Sequence, residues 1–81
     1  MAERTVRSPL PGTFFRRPSP DADPFVNEGD AVATGDVIGL VEVMKTFYEL
    51  KADQDCVADR FLIEDASPVE AGDDVLALRD S

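Results

Sequence analysis

An 81-residue chain that is 43% hydrophobic makes one small domain, and its core has to be compact because a chain this short buries only about 60–65% of its unfolded surface. A formal charge of -9 and a pI near 4.2 exclude nucleic acid and anionic membranes as partners, since phosphate contacts need clustered Lys and Arg and only Arg16-Arg17 stand together. Histidine is absent, which removes Ser-His triads, Cys-His dyads and histidine-zinc sites, so neither a catalytic residue nor a metal ligand set is expected.

The chain opens on Met1-Ala2-Glu3-Arg4, which lacks the charged-then-apolar layout of a signal peptide, and no apolar run reaches the length of a membrane span. The lone Cys56 cannot form an internal disulfide and fits a reducing compartment, so a cytoplasmic location is expected. After the turn Pro9-Leu10-Pro11-Gly12 a short strand runs through Thr13-Phe14. Residues 16–24 then hold three prolines, which fix φ and lack N–H donors, so this segment reads as a stiff protruding loop. Val26 and Val32 flank a first Gly-Asp turn, and Gly35-Asp36 forms a second. Val37-Ile38-Gly39-Leu40-Val41-Glu42 and Phe47-Tyr48-Glu49-Leu50 read as strands on either side of Val43-Met44-Lys45-Thr46. Later come Cys56-Val57, the segment Ile63 to Val69, a third Gly-Asp turn at Gly72-Asp73 and a last strand from Val75 to Leu78.

The second half repeats the first. At an offset of 37, Val32 meets Val69, Gly35 meets Gly72 and Asp36 meets Asp73; earlier in each half Gly12 meets Cys56 at an offset of 44. The difference means that the first half carries seven additional residues, which fall within residues 16–24. Each half reads as about four short strands, and no window has a capped 3.6-residue period. The expected fold is all-β: a flattened barrel or sandwich of two four-stranded antiparallel sheets with quasi-two-fold symmetry. Residues 1–81 form one domain, with a core at 6–78. Phe14, Val26, Val32, Ile38, Leu40, Leu50, Val57, Leu62, Val69, Val75 and Leu78 are the expected buried residues. Under this symmetry the Lys45 turn and the chain ends fall at opposite ends. Lys45, one of two lysines, is then an exposed primary amine at a hairpin tip; Lys51 lies in the following strand and faces solvent.

Arg7-Ser8-Pro9, Gly12-Thr13-Phe14, Pro18-Ser19-Pro20-Asp21-Ala22, Val41-Glu42, Met44-Lys45 and Pro68-Val69-Glu70 occur in the order and spacing of a known family. Over residues 6–78 the chain resembles the biotinyl domains of biotin carboxyl carrier proteins of acetyl-CoA carboxylase. The resemblance implies covalent biotin on Lys45, attached by a biotin protein ligase that recognises Glu42, Val43, Met44 and Thr46. It implies a non-catalytic carrier whose biotin is carboxylated by a biotin carboxylase and serves a carboxyltransferase, forming malonyl-CoA for fatty acid synthesis. The loop of Pro18, Ser19, Pro20, Asp21, Ala22, Asp23 and Pro24 corresponds to the family's "thumb", which lipoyl domains lack. A lipoyl carrier domain and an unmodified interaction module of the same fold are the alternatives.

Three features depart from the pattern. Val43 and Thr46 stand where the family has Ala and Met, and as β-branched residues they favour extended hairpin arms. Cys56 stands where the second half carries Gly; a positive φ there would strain it, so a different local turn is expected, with the thiol buried and unreactive. The resembling region begins within a few residues of Met1, which fits either an excised domain or a free-standing carrier.

Overall fold

The structure is a computed structural model and describes residues 4–80. Eight strands follow one another: β1 (Arg4–Arg7), β2 (Gly12–Phe15), β3 (Ala31–Val32), β4 (Val37–Val43), β5 (Thr46–Lys51), β6 (Cys56–Phe61), β7 (Ser67–Val69) and β8 (Asp74–Arg79). No helix occurs among the described residues. One sheet has the order β1-β8-β6-β3 and the other β5-β4-β2-β7, and every pairing is antiparallel. The two orders become identical when β1, β2, β3 and β4 are exchanged for β5, β6, β7 and β8. The repeat read from the sequence is therefore a two-fold that swaps the sheets.

The symmetry extends to individual hydrogen bonds. The Gly35 N–H donates to the Ala52 carbonyl at 2.8 Å, and the Gly72 N–H donates to that of Ser8 at 2.8 Å. Ala52 N–H returns to Asp36 O, as Ser8 N–H does to Asp73 O, both at 2.9 Å. The Asp36 carboxylate accepts from Ala33 N–H at 2.9 Å and that of Asp73 from Glu70 N–H at 2.8 Å. Gly35 and Gly72 both have φ of 90°, which type II turns require at their third position and only glycine adopts without steric cost. The Gly-Asp pairs thus serve as the same turn twice.

Phe14, Ile38, Val41, Val75 and Leu76 are fully buried between the sheets, with Val26, Val32, Leu50, Cys56, Ala58, Val69 and Leu78 packed around them. Each such large apolar side chain contributes about 1.5–3 kcal/mol, whereas an exposed ion pair contributes about 0–1 kcal/mol, so the core sets the stability. Two expected core positions need correction. Val57 is only half-buried, because the inward places of β6 belong to Cys56 and Ala58. Leu62 is 40% exposed: a bulge between Ala58 and Arg60 resets the alternation, and the strand ends at Phe61.

The expectation at Cys56 is also corrected. Neither Cys56 nor its counterpart Gly12 has positive φ; each begins a strand in ordinary extended geometry. Gly12 is there for space, since a Cβ on it would lie 2.4 Å from the Glu42 carbonyl oxygen and 2.9 Å from Val41 Cγ1. Cys56 is buried as expected, and that burial pushes its thiol above the ordinary range.

Pairing of β8 with β1 occupies the place that pairing of β4 with β5 has in the other sheet. Arg4 lies opposite Leu78 and its side chain pairs with Asp80, so the described ends of the chain meet there. The two-fold sets this position against the Lys45 turn.

Candidate functional site at the β4–β5 turn

Strands β4 and β5 are paired from Val37–Lys51 to Val43–Thr46, leaving Met44 and Lys45 alone to reverse the chain. Both have positive φ, 50° at Met44 and 68° at Lys45, as a type I′ turn demands. That geometry matches the twist of the flanking strands, but Asn and Gly suit it best, and a side-chain-bearing residue there costs about 1–2 kcal/mol. Met and Lys have no local reason to occupy these two places. Strain tolerated at a tip is a mark of a site held for use.

The tip is apolar around one charge. Met44 is 92% exposed, Phe47 55% and Tyr48 43%, and these are three of the four large exposed hydrophobic residues among those described. Lys45 is itself exposed. The molecule's other cations are engaged: Arg7 with Asp74 at 3.0 Å, Arg17 with Asp65 at 3.4 Å, Lys51 with Glu49 at 3.7 Å, and Arg60 and Arg79 with Asp59. Arg16 donates to the Ile63 carbonyl and lies 4.4 Å over the Phe61 ring. Among the described lysine and arginine side chains, that of Lys45 alone has neither an acidic partner nor a hydrogen bond. Its amine is free to be approached from outside and to accept an acyl group.

The proline-rich segment folds back beside the hairpin, one register pair below its closing pair. Its ends meet through Phe25 N–H to Arg16 O at 2.9 Å, and Ala22 N–H to Ser19 O at 3.1 Å makes its inner turn. Residues 16–25 thus close a loop. Pro18, Ser19 and Pro20 face Phe15, Glu42 and Phe47 across a cleft of about 370 Å³, with Arg17, Asp65 and Ala66 at its other wall. The Phe15 and Phe47 rings are 6.5 Å apart and form its apolar floor.

Glu42 and Val43 are half-buried at the end of β4, and Thr46 is exposed at the start of β5. Asp21 and Asp23 are exposed on the loop. The sequence reading passed over Phe15, Phe47, Arg17, Asp65 and Ala66. The repeat held a signal for the last, because Ala66 falls where the first half has Gly29: both have positive φ, 61° and 95°. Among the described residues no group of three or more Cys, Asp or Glu could hold a metal ion, and no helix is long and apolar enough to cross a membrane.

Comparison with known proteins gives concordant results. The family model described as "Biotin-requiring enzyme" matches residues 4–78. The chain is 41% identical over 73 residues to the biotin carboxyl carrier protein of acetyl-CoA carboxylase from Haemophilus influenzae, covering 90% of this chain and 47% of that protein. It is 42% identical over 65 residues to the chloroplastic biotin carboxyl carrier protein of acetyl-CoA carboxylase 1 from Arabidopsis thaliana, covering 80% of this chain and 23% of that one. It thus spans about half the length, or less, of these relatives. Among solved structures, urea carboxylase of Kluyveromyces lactis superposes with a TM-score of 0.77 at 27% identity, over 96% of this chain and 6% of the enzyme. A single-chain, multi-domain long-chain acyl-CoA carboxylase superposes with a TM-score of 0.81 at 24% identity, over 98% of this chain and 7% of that one, a likeness of fold. The chain belongs to the biotin/lipoyl family of biotin-requiring enzymes.

Proposed function

We propose that the chain is a biotin carboxyl carrier with biotin joined through an amide to Nζ of Lys45, and that it serves an acetyl-CoA carboxylase. The observation that carries this reading is the free, exposed amine at a two-residue turn whose residues are both held at positive φ. The fit is chemical as well as geometric. Acylation neutralises the amine and breaks no existing ion pair, and the apolar rim of Met44, Phe47 and Tyr48 favours an apolar acyl chain beside it. Bound biotin would supply the ring that carries the carboxyl group.

The chain's own residues supply reach and direction. A lysine stem projecting from a rigid tip places its load away from the body with little ordering cost. Tethering holds the load near two successive active sites at an effective concentration on the order of millimolar. None of the side chains performs the chemistry, so the protein is a non-catalytic carrier acting with a biotin protein ligase, a biotin carboxylase and a carboxyltransferase. The acceptor would be acetyl-CoA and the product malonyl-CoA for fatty acid synthesis, which the names of the relatives support. Met44, exposed beside Lys45, is the residue the ligase would grip, with Glu42, Val43 and Thr46 shaping the arms. The loop of residues 16–24 would act as the thumb of this carrier. A cytoplasmic location suits the buried, unpaired thiol of Cys56.

Intact-mass measurement of the chain co-expressed with its own ligase and biotin tests the reading. One biotinyl increment is expected, absent in Lys45→Arg. No increment, or a lipoyl increment instead, would overturn it.

A further inference from the structure

The two-fold separates what the fold requires of the cleft from what has been added to it. One residue before each left-handed position stands a carboxylate: Glu28 before Gly29, and Asp65 before Ala66. Glu28 accepts from the Phe61 N–H at 2.9 Å and Asp65 from the Arg16 N–H at 2.7 Å, so each satisfies a strand-exit donor in the opposite half. Phe61, the donor to Glu28, is followed by no inserted loop, so the bond is part of the scaffold. Asp65 has a second engagement: its Oδ2 lies 3.4 Å from Arg17 Nε, and Arg17 Nη1 donates to the Ala22 carbonyl at 3.3 Å. One carboxylate on the β6–β7 segment thereby holds the near limb of the thumb through Arg17 and, through the same guanidinium, its far limb. Beyond Arg16 and Arg17, the thumb's other prominent restraint is its own closure.

Both residues of this pair line the cleft that contains Phe47 and Glu42, the register pair next to the closing pair of the Lys45 turn. Arg17, Asp65 and Glu42 all line this cleft.

We infer that Asp65 and Arg17 are positioning residues: they hold the thumb at a set distance from the hairpin, so that the enzyme modifying Lys45 meets thumb and turn as one rigid surface. The inference rests on the proposed attachment at Lys45. Asp65→Asn keeps a carbonyl oxygen for the Arg16 N–H and loses only the charge that holds Arg17, and Arg17→Gln removes the other partner. Glu28→Gln is the symmetry-matched control: it removes the corresponding carboxylate charge and leaves the Asp65–Arg17 pair intact.

Two measurements on the whole chain decide it. Amide relaxation at Ser19, Asp21, Ala22 and Asp23 should fall from rigid order parameters of about 0.85 to below about 0.6 in Asp65→Asn and Arg17→Gln, with Glu28→Gln unchanged. With biotin protein ligase, KM for the carrier should rise about five-fold or more in both variants at unchanged kcat, because a loose thumb must be ordered at binding. Unchanged order parameters would overturn the inference, and so would a loosened thumb with KM unchanged or an equal effect in Glu28→Gln. If the unsubstituted chain accepts no biotin, the attachment reading fails and this inference falls with it, while the relaxation data still report whether the pair holds the thumb.

Discussion

The two halves of this molecule agree hydrogen bond for hydrogen bond at their Gly-Asp turns and differ where the first half carries the thumb and ends in Met44-Lys45. In the second half the corresponding strand, β8, pairs with β1. The shared Gly-Asp turns at Gly35 and Gly72 use a residue suited to their backbone, with φ of 90°. The unshared parts use residues that are locally unsuited, a methionine and a lysine at left-handed positions. The repeat is scaffold, and departures from it mark where something other than folding has acted on the sequence.

That contrast can be broken most strongly at Gly12. Replacement by Ala puts a Cβ against the Glu42 carbonyl, which cannot move without pulling β4 away, and a loss of about 2–3 kcal/mol is expected in urea unfolding. The equivalent Cys56→Ala leaves a small void and should cost about 1 kcal/mol. Equal losses at both positions would show that the halves are packed alike. Replacing the turn by Met44→Asn with Lys45→Gly should stabilise the hairpin by about 1–2 kcal/mol, raising Tm by several degrees while removing the amine. A neutral or destabilising result would mean that the turn holds no strain.

Smaller effects separate Gly29 from Ala66. Gly29→Ala meets no neighbour within 4 Å yet should cost about 1 kcal/mol through φ alone, and Ala66→Gly should gain about 0.5 kcal/mol once the added chain entropy is deducted. The smallest effect concerns pH. Hydrogen bonds from Thr34, first its N–H and then its hydroxyl, hold the Asp55 carboxyl below its ordinary value. A folded-state value below the unfolded one adds stability at neutral pH that is lost as pH falls below about 4 through the folded value. Asp55→Asn should therefore flatten the acid limb of a Tm-against-pH profile slightly; an unaltered limb would remove Asp55 from the account.

Much of this was legible in the sequence for physical reasons. The Gly-Asp turns repeat because the same two turns are built twice, and three prolines in one stretch leave little choice but a loop. The two-fold then relates one sheet order to the other. What stayed hidden was local. Val57 faces outward because Cys56 and Ala58 take the inward places of β6, and the bulge between Ala58 and Arg60, which no apolar pattern signals, leaves Leu62 beyond the strand. Ala58 was passed over as core because a small residue beside an aspartate carries a weak hydrophobic signal, whereas the burial of Cys56 was expected. The left-handed turn was invisible because Met and Lys do not favour it, and the grip of Asp65 on Arg17 joins residues 48 positions apart.

The central claim is that Lys45 is singled out by its turn, and the chain's other lysine is the natural comparison. Lys51 lies in β5, exposed but paired with Glu49. Tandem mass spectrometry of the ligase-treated chain measures both lysines at once. The account requires biotin on Lys45 with Lys51 unmodified; biotin on Lys51, or divided between the two, would contradict it.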